Sequence, residues 1–455
     1  MSQIKQAKIT QEKGEFQLVN SHPSIANCIR RTLLGEIPTL SFKAGDITFH
    51  TNTCNLHNEM IALRVSLIPV MIEDIRSFDL GHVFEINQTN ETDEEFIVTS
   101  EHFTCFRESK KEDGISVVRT DKPSGWVRKL FPKDTSTGDF IPICHLSKGE
   151  SIHIRATLSV GIGSSHAQFS PVCQAVYSNI TDLSLAKEVL EKKIASSSSE
   201  DRDNVIAHFN NYQIERYYHK KEYSYPRIIE DKKEVIHAYH ADQFQFNFES
   251  VGMFLPSFLF GECCRLIINK LHKISEDVKS LKGSIEIKPS EMVMKAFDFI
   301  FEGEGHSMGN LISSYLTRNY IEVENPTLTY VGYQCPHPLQ KKMVLRISSC
   351  HHLGEEYTDL LHQERVTAYL LEGLEKLSSE FISLHGQWFK ILQLKEPSIG
   401  MRISSYSSFK EDDQRIGEGL GLGLGLGEGE GEGLGLGEGE GEGLLGLGEG
   451  EGEKS

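Results

Sequence analysis

One stretch limits the fold more than any other: Phe299-Ile-Phe-Glu-Gly-Glu-Gly-His306-Ser-Met-Gly-Asn310-Leu-Ile-Ser-Ser-Tyr-Leu316. A β-rich run, a glycine-rich turn and a helix follow one another in it. Met308, Leu311, Ile312, Tyr315 and Leu316 fall at i, i+3, i+4, i+7 and i+8, the spacing of one apolar helical face. Ser307 is placed to cap that helix by accepting from a free backbone N–H. A second, weaker copy runs from Ser24 to Leu33. Laid serine on serine, the copies agree in type at Ser24/Ser307, Ile25/Met308, Asn27/Asn310, Ile29/Ile312 and Leu33/Leu316. Pro-Thr-Leu follows both, at Pro38 to Leu40 and Pro326 to Leu328, and leads into a strand-like run. A cap, a helix and an exit strand recurring in order mark one folding unit used twice.

The rest of the chain can be arranged around these copies. A strand at Glu15 to Asn20 precedes the first helix, which His22-Pro23 can open. Leu56, Met60, Leu63 and Leu67 follow a 4-3-4 spacing and predict an amphipathic helix that stops at Pro69. Residues 70 to 160 alternate short β-rich runs with Gly, Pro and Asp turns and read as mainly β. From Asp182 to Asp242 the pattern turns helical and strongly charged, broken at Ser196 to Ser199. Ile267, Leu271, Ile274, Val278 and Leu281 then form a seam suited to packing on another helix. A long helix from about Gly354 to His385 carries Leu370, Leu374, Leu377 and Phe381 on one stripe.

These readings give an α+β chain of two dimerisation units forming a pseudodimer, with a mainly-β insert in the first. The expected divisions are 1–48 and 176–282 for the first unit, with its charged insertion at 182–242. The insert takes 49–175, the second unit 283–390 and a tail 391–455. A length of 455 residues accommodates that many cores.

Composition narrows the function classes. Between Gly417 and Ser455, ten glutamates and one lysine carry −9 of the net charge of −18. The remainder stays acidic, unlike a chain that grips nucleic acid by itself. Glycine at alternate tail positions raises the entropy of ordering, and the leucines are too sparse to offset it, so the tail is expected to be disordered and expendable for folding. No run reaches the roughly 20 apolar residues of a membrane span. The nine cysteines are scattered and lack a CxxC pair, which suits reduced thiols.

No stretch carries a specific catalytic constellation. The Gly303 to Asn310 turn has the glycines of a phosphate cradle, which supports an alternative reading as a nucleotide-binding enzyme. Against it, no Gly-Lys-Ser/Thr follows, and Glu302 and Glu304 would repel phosphate. His57 lacks the second histidine of a zincin helix. Cys335, His337, Cys350, His352, His237 and His240 are candidate donors without the paired spacing of structural zinc. Neither a metal nor a cofactor is therefore expected. Arg30 and Arg31 on an otherwise apolar helix read equally well as solvated side chains or as a face left for a protein partner.

Four motifs, in order, resemble one known family. Ile25-Ala-Asn-Cys-Ile-Arg-Arg-Thr-Leu-Leu-Gly-Glu-Ile-Pro-Thr-Leu40 and Asn52-Thr-Cys-Asn-Leu-His-Asn-Glu-Met-Ile-Ala-Leu-Arg64-Val-Ser-Leu-Ile-Pro69 are similar to the third-largest subunit of RNA polymerase II. Its relatives are the archaeal D polypeptide and the N-terminal domain of bacterial α. Gly161-Ile-Gly-Ser-Ser-His-Ala-Gln-Phe-Ser-Pro-Val172 resembles the same family's loop returning to the dimerisation unit. Phe301 to Ser348, with His306 to Asn310 and Gly332 to Pro338, resembles the small partner, the eleventh subunit of RNA polymerase II or the archaeal L polypeptide. Two chains of a cellular polymerase are thus expected here as one, an arrangement similar to fusions in large cytoplasmic DNA viruses.

The resemblance implies a non-catalytic assembly platform for a multisubunit DNA-dependent RNA polymerase. Its partners would be two large catalytic subunits and small polymerase subunits, with DNA reached only through the complex and no membrane contact. Asn27, Arg30, Arg31, Glu59 and Arg64 would lie at the partner interface. Leu271, Ile274, His306, Gly309, Asn310, Leu311, Leu370 and Leu374 would serve pairing of the halves. Catalytic magnesium would belong to a partner. The family's zinc loop is not expected, because Asp74 to Asn90 contains no cysteine. The implied location is the nucleus, or the host cytoplasm or virion for a viral chain. A free-standing structural pseudodimer is the third reading, distinguished by an outer face at Arg30 and Arg31 that no polymerase needs.

Overall fold

The computed structural model describes residues 1–72, 75, 78–110, 117–134, 137–182, 239–280, 285–290, 295–350 and 359–393, with isolated positions between 183 and 202. These lie within one compact unit, Met1–Ser398; a second unit, Ile399–Ser455, lies outside the described residues. The expectations for the charged insertion and the acidic tail fall almost wholly outside them too.

Two four-stranded antiparallel sheets repeat one plan. The first half runs β1 (Gln3–Ile9), β2 (Lys13–Val19), α1 (Pro23–Gly35), then β11 (Val172–Thr181), β12 (Tyr239–Ser250) and α4 (Pro256–Ser280). Its sheet order is β1-β2-β12-β11. The second half runs β13 (Ile285–Pro289), β14 (Phe297–Glu302), α5 (His306–Leu316), β15 (Leu328–Gln334), β16 (Lys342–Ser349) and α6 (Asp359–Ile391). Its sheet order is β13-β14-β16-β15, the same sequence of roles. Alternate residues of the central strands point inward, as the period of two requires. Phe16 pairs in register with Phe246, and Phe299 with Leu345, and all four are fully buried.

Between α1 and β11 the first half carries a mainly-β insert. It holds β3 (Pro38–Phe42), β4 (Thr48–Asn52), α2 (Asn58–Ser66), β5 (His82–Thr89), β6 (Phe96–Thr99), β7 (Thr104–Lys110) and β8 (Val117–Asp121). It continues with α3 (Ser124–Arg128), β9 (Pro142–Leu146) and β10 (Ser151–Ile162). The main sheet is ordered β3-β10-β5-β7-β8, β4 also pairs β10, and β6 pairs β9. Phe42, Phe84, Phe103 and Phe131 pack together at its centre. Strand pairing moves the limits expected at 49 and 175. Leu40 lies opposite Val160 and Phe42 opposite Leu158, so the insert begins at Pro38. Ala175 lies opposite Phe248, which places β11 in the first half's own sheet. The two Pro-Thr-Leu tripeptides therefore do not correspond: one enters the insert through β3, the other enters β15.

Three local expectations change. Ser307 lies inside the first turn of α5 and does not cap it, since Gly305 holds the N-cap position. At α1 the cap is His22, whose Nδ1 accepts from Ser24 N–H at 3.2 Å ahead of Pro23. Burial, with the Arg318 charge nearby, pushes His22 down to about 4 and keeps the ring neutral, as an accepting nitrogen must be. In α2 the buried residues are Ile61, Ala62, Val65 and Ser66, while Met60, Leu63 and Leu67 are each about half exposed. The 4-3-4 stripe thus names the outer face of the helix. The inner face is one position round and equally apolar, so period alone could not choose between them.

Candidate assembly interface

The site is built from two layers: the clasp that holds the halves together, and the surface the clasp presents. The clasp is an antiparallel pair of long helices. Gly261 of α4 meets the Phe389 ring of α6, and eleven residues further along His272 Nε2 lies 3.1 Å from Ser378 Oγ, eleven residues earlier on α6. A Cβ on Gly261 would stand 2.7 Å from Phe389, so glycine is what lets the helices approach there. Leu271, Ile274, Leu370 and Leu374 are buried along these helices, as the heptad-like spacing predicts. The short helices α1 and α5 also contact each other, and Leu311 is fully buried on α5.

The long helix α6 crosses into the first half. The stripe on α6 continues beyond Phe381 through Leu384 to Trp388. Trp388 is fully buried among Phe16 and Phe260 of the first half, 5.6 and 4.5 Å away between ring centroids. Its indole N–H donates to the Ser257 carbonyl at 2.8 Å. Beside it, the Gln387 amide accepts from Ile4 N–H at 2.9 Å and donates to the Ser2 carbonyl at 3.3 Å. That side chain therefore covers the outer edge at the start of β1. Glu380 accepts from Ser2 N–H and Ser2 Oγ. Sequence reasoning ends the helix at His385 and misses these residues. Extending the 4-3-4-3 count by one turn finds Trp388.

An ion cluster joins the same halves. Lys270 Nζ of α4 lies 2.9 Å from Glu36 at the end of α1 and 3.8 Å from Glu304, in the turn before α5. Burial pulls Lys270 down, but Glu304 and Glu36 outweigh it and hold the ammonium well above the usual lysine range. The Gly303 to Asn310 turn thus brings a carboxylate to a lysine of the other half, and nothing in its geometry favours phosphate.

Contacts of His306, Gly309 and Asn310 within the second half are also defined. His306 is exposed and stacks edge-on with Tyr333. Gly309 lies where a Cβ would meet Tyr333 and Met343, and Asn310 accepts from Ser314 Oγ on its own helix.

On the outer side, Arg31 is exposed, and its charge reaches the Tyr333 phenol of the second half. Arg30 is half-buried and its guanidinium donates to Asn27 Oδ1 at 2.9 and 3.1 Å, so Asn27 fixes Arg30. Glu59 and Arg64 are exposed on α2, and Arg64 donates to the Pro142 carbonyl. Met60 and Leu63 on the same helix and Leu67 at its end form an exposed apolar face. The loop from Gly161 to Pro171 locks the insert against α1. Ser164 N–H donates to the Gly35 carbonyl, Ser170 Oγ to the Leu34 carbonyl, and a Cβ on Gly163 would stand 2.3 Å from Leu34 O.

Of the candidate metal donors, His237 and His352 lie outside the described residues. Among the described residues no group of three or more His, Cys, Asp or Glu is arranged as a metal centre. Cys350 donates to the Pro326 carbonyl, and His337 accepts from Leu339 N–H. Among those residues, too, no helix is long and apolar enough to cross a membrane.

Two ββαββα units sharing a crossed helical core define a paired dimerisation module. Comparison with known proteins agrees: the description "RNA polymerase Rpb3/Rpb11 dimerisation domain" matches residues 15–271 and again 296–386. The chain belongs to the RNA polymerase Rpb3/Rpb11 dimerisation family, with two such domains in tandem. It is similar to the Pyrococcus horikoshii DNA-directed RNA polymerase subunit Rpo3, 25% identical over 62% of this chain and 100% of that one. It is also 25% identical to the mouse DNA-directed RNA polymerases I and III subunit RPAC1, over 59% of this chain and 82% of that protein. A Tetrahymena thermophila protein described as conjugation stage-specific is 26% identical over 54% and 84%.

Proposed function

We propose that this chain is the non-catalytic assembly platform of a multisubunit DNA-dependent RNA polymerase. One observation carries the reading: two copies of the family's domain occupy a single polypeptide, and their long helices pack against each other. A unit whose helical faces are already occupied from within has its outer surface left for other chains. Arg31, the Asn27-braced Arg30, and the Met60, Leu63 and Leu67 face beside Glu59 and Arg64 form the docking surface for two large catalytic subunits. Buried arginines and large apolar side chains are the residue types that anchor protein interfaces. Small polymerase subunits are further partners, and DNA is met only through the complex. Covalent linkage makes the pairing intramolecular, at an effective concentration of roughly millimolar or above.

The test is recovery of the tagged full chain from its native cells. Two very large polypeptides should accompany it. Arg30→Glu with Arg31→Glu should remove them while leaving the melting curve in place. A chain recovered alone, or a double variant that still brings both down, overturns the reading.

A further inference from the structure

The clasp joins two related halves, and a related half is also present in every other copy of the chain. The repeat does not extend to the charges at the middle of the clasp. α1 begins at Pro23 and α5 at His306, so Ser21 and Glu304 hold the same place, two residues ahead of a short helix. Each place is met by the long helix of the other half. Lys270 of α4 lies 3.8 Å from Glu304, and Glu36 of its own half holds the ammonium at 2.9 Å. At the other place, Glu380 of α6 accepts from Ser2 N–H at 3.0 Å and from Ser2 Oγ at 2.6 Å, and Ser2 Oγ lies 2.9 Å from Ser21 Oγ. His272 meets Ser378, and Lys270 and Glu380 each stand two residues from that contact, at one level of the antiparallel pair. Ser2 is fully buried, and Lys270, Glu304 and Glu380 are half-buried, so solvent ions screen these charges less than on an open surface.

We infer that Lys270, Glu304 and Glu380 select the partner half: they admit the first half to the second and turn each half away from its own kind. Pairing two second halves would set Glu380 of each copy against Glu304 of the other, carboxylate on carboxylate twice over. Like charges brought face to face across an interface oppose association strongly. Pairing two first halves would aim Lys270 of each copy at the Ser2 N–H and hydroxyl of the other. Donors would then face an ammonium where Glu304 now accepts. Only the mixed pair gives Lys270 a second carboxylate and Glu380 its donors. Repulsion in the unwanted pairs adds to attraction in the wanted one, as at the charged positions beside a coiled-coil seam. The apolar stripes do not supply this choice, since buried aliphatic side chains line both long helices alike. The selection is made inside the clasp and does not depend on which proteins the outer surface binds.

Light scattering on the full chain, with co-recovery of two differently tagged copies expressed together, tests this. The wild-type chain should run as one copy and exchange few tags. Reversing two charges, Lys270→Glu with Glu380→Lys, should drive the chain to dimers. The new carboxylate on α4 then finds Ser2 of a second copy, and the new ammonium on α6 finds its Glu304. Adding Glu304→Lys should return the chain to one copy, because the carboxylate on α4 regains an opposite charge within the same chain. An ion pair that only stabilises the fold would lose more with each change and show no such return. Glu304→Gln alone keeps the shape of the turn and the Lys270 contact with Glu36; it should fold normally and raise tag co-recovery several-fold. A double variant that stays a single copy, dimers that persist in the triple variant, or tag exchange unchanged by Glu304→Gln would overturn the inference.

Discussion

The halves share strand order and helix placement, yet they differ in two respects. After α1 the first half leaves its sheet for the whole insert and returns at β11; after α5 the second half turns through Thr317–Ile321 and enters β15 directly. Their closing helices also differ in length, 25 residues in α4 against 33 in α6. The shared part is what pairing requires, a sheet with a crossed helix on its inner face. The unshared parts serve two ends. The insert adds outward surface, and the extra turns of α6 reach β1 with Gln387 and α4 with Trp388.

Substitutions can break this comparison, and the largest effect should come from the shared part. Leu311→Asp puts a carboxylate without a partner into the contact of α5 with α1. A cost of about 4–5 kcal/mol, seen as lost cooperative unfolding in urea, is expected; an unchanged transition would mean the halves do not meet there. Trp388→Ala tests the unshared turns of α6. Lost packing and the stranded Ser257 carbonyl should cost about 3–5 kcal/mol by equilibrium denaturation. Gly163→Ala drives a methyl into the Leu34 carbonyl and should cost about 1–3 kcal/mol. Gly305→Ala in the second half, whose Cβ would meet open space, should be far milder.

Smaller still is an effect of pH within the insert. Glu85 Oε1 accepts from Arg155 Nε at 2.7 Å and lies 3.0 Å from His153 Nε2, while Oε2 accepts from Arg119 Nη1 at 2.9 Å. Burial opposes ionisation, but these partners outweigh it and hold the carboxyl near 2, against an ordinary 4.5. A depressed carboxylate contributes stability that is complete above its unfolded value and fades as pH falls towards the folded one. The gap in melting temperature between wild type and Glu85→Gln should therefore be constant above about pH 5 and close between pH 4.5 and 2. Least of all, Leu63→Ser should change stability by no more than about 0.5 kcal/mol, since it faces solvent, while reducing co-recovery of large subunits.

The doubled plan was legible because it rests on periods. Helical spacing in α1, α4, α5 and α6 can be read from residue order alone. What failed had a local physical cause. In β1 the apolar residues are only Ile4, Ala7 and Ile9 among lysines and glutamines, and a bulge with Gln6 at φ 50° interrupts the alternation, so residue order does not mark a strand there. In α2 two apolar stripes compete, and only packing against β3 and β9 decides between them. Of the interface residues, the buried leucines followed from spacing. The role of Lys270 did not, because Glu36 and Glu304 are distant in sequence and converge only after both halves fold.

The Gln387 amide has a consequence for synthesis. Made from the N-terminus, β1 emerges early, and the group that satisfies its outer backbone comes more than 380 residues later. During that interval the strand is an open template for other chains. The bulge at Gln6, which spoils a flat register, is then its own protection until the far end of α6 arrives.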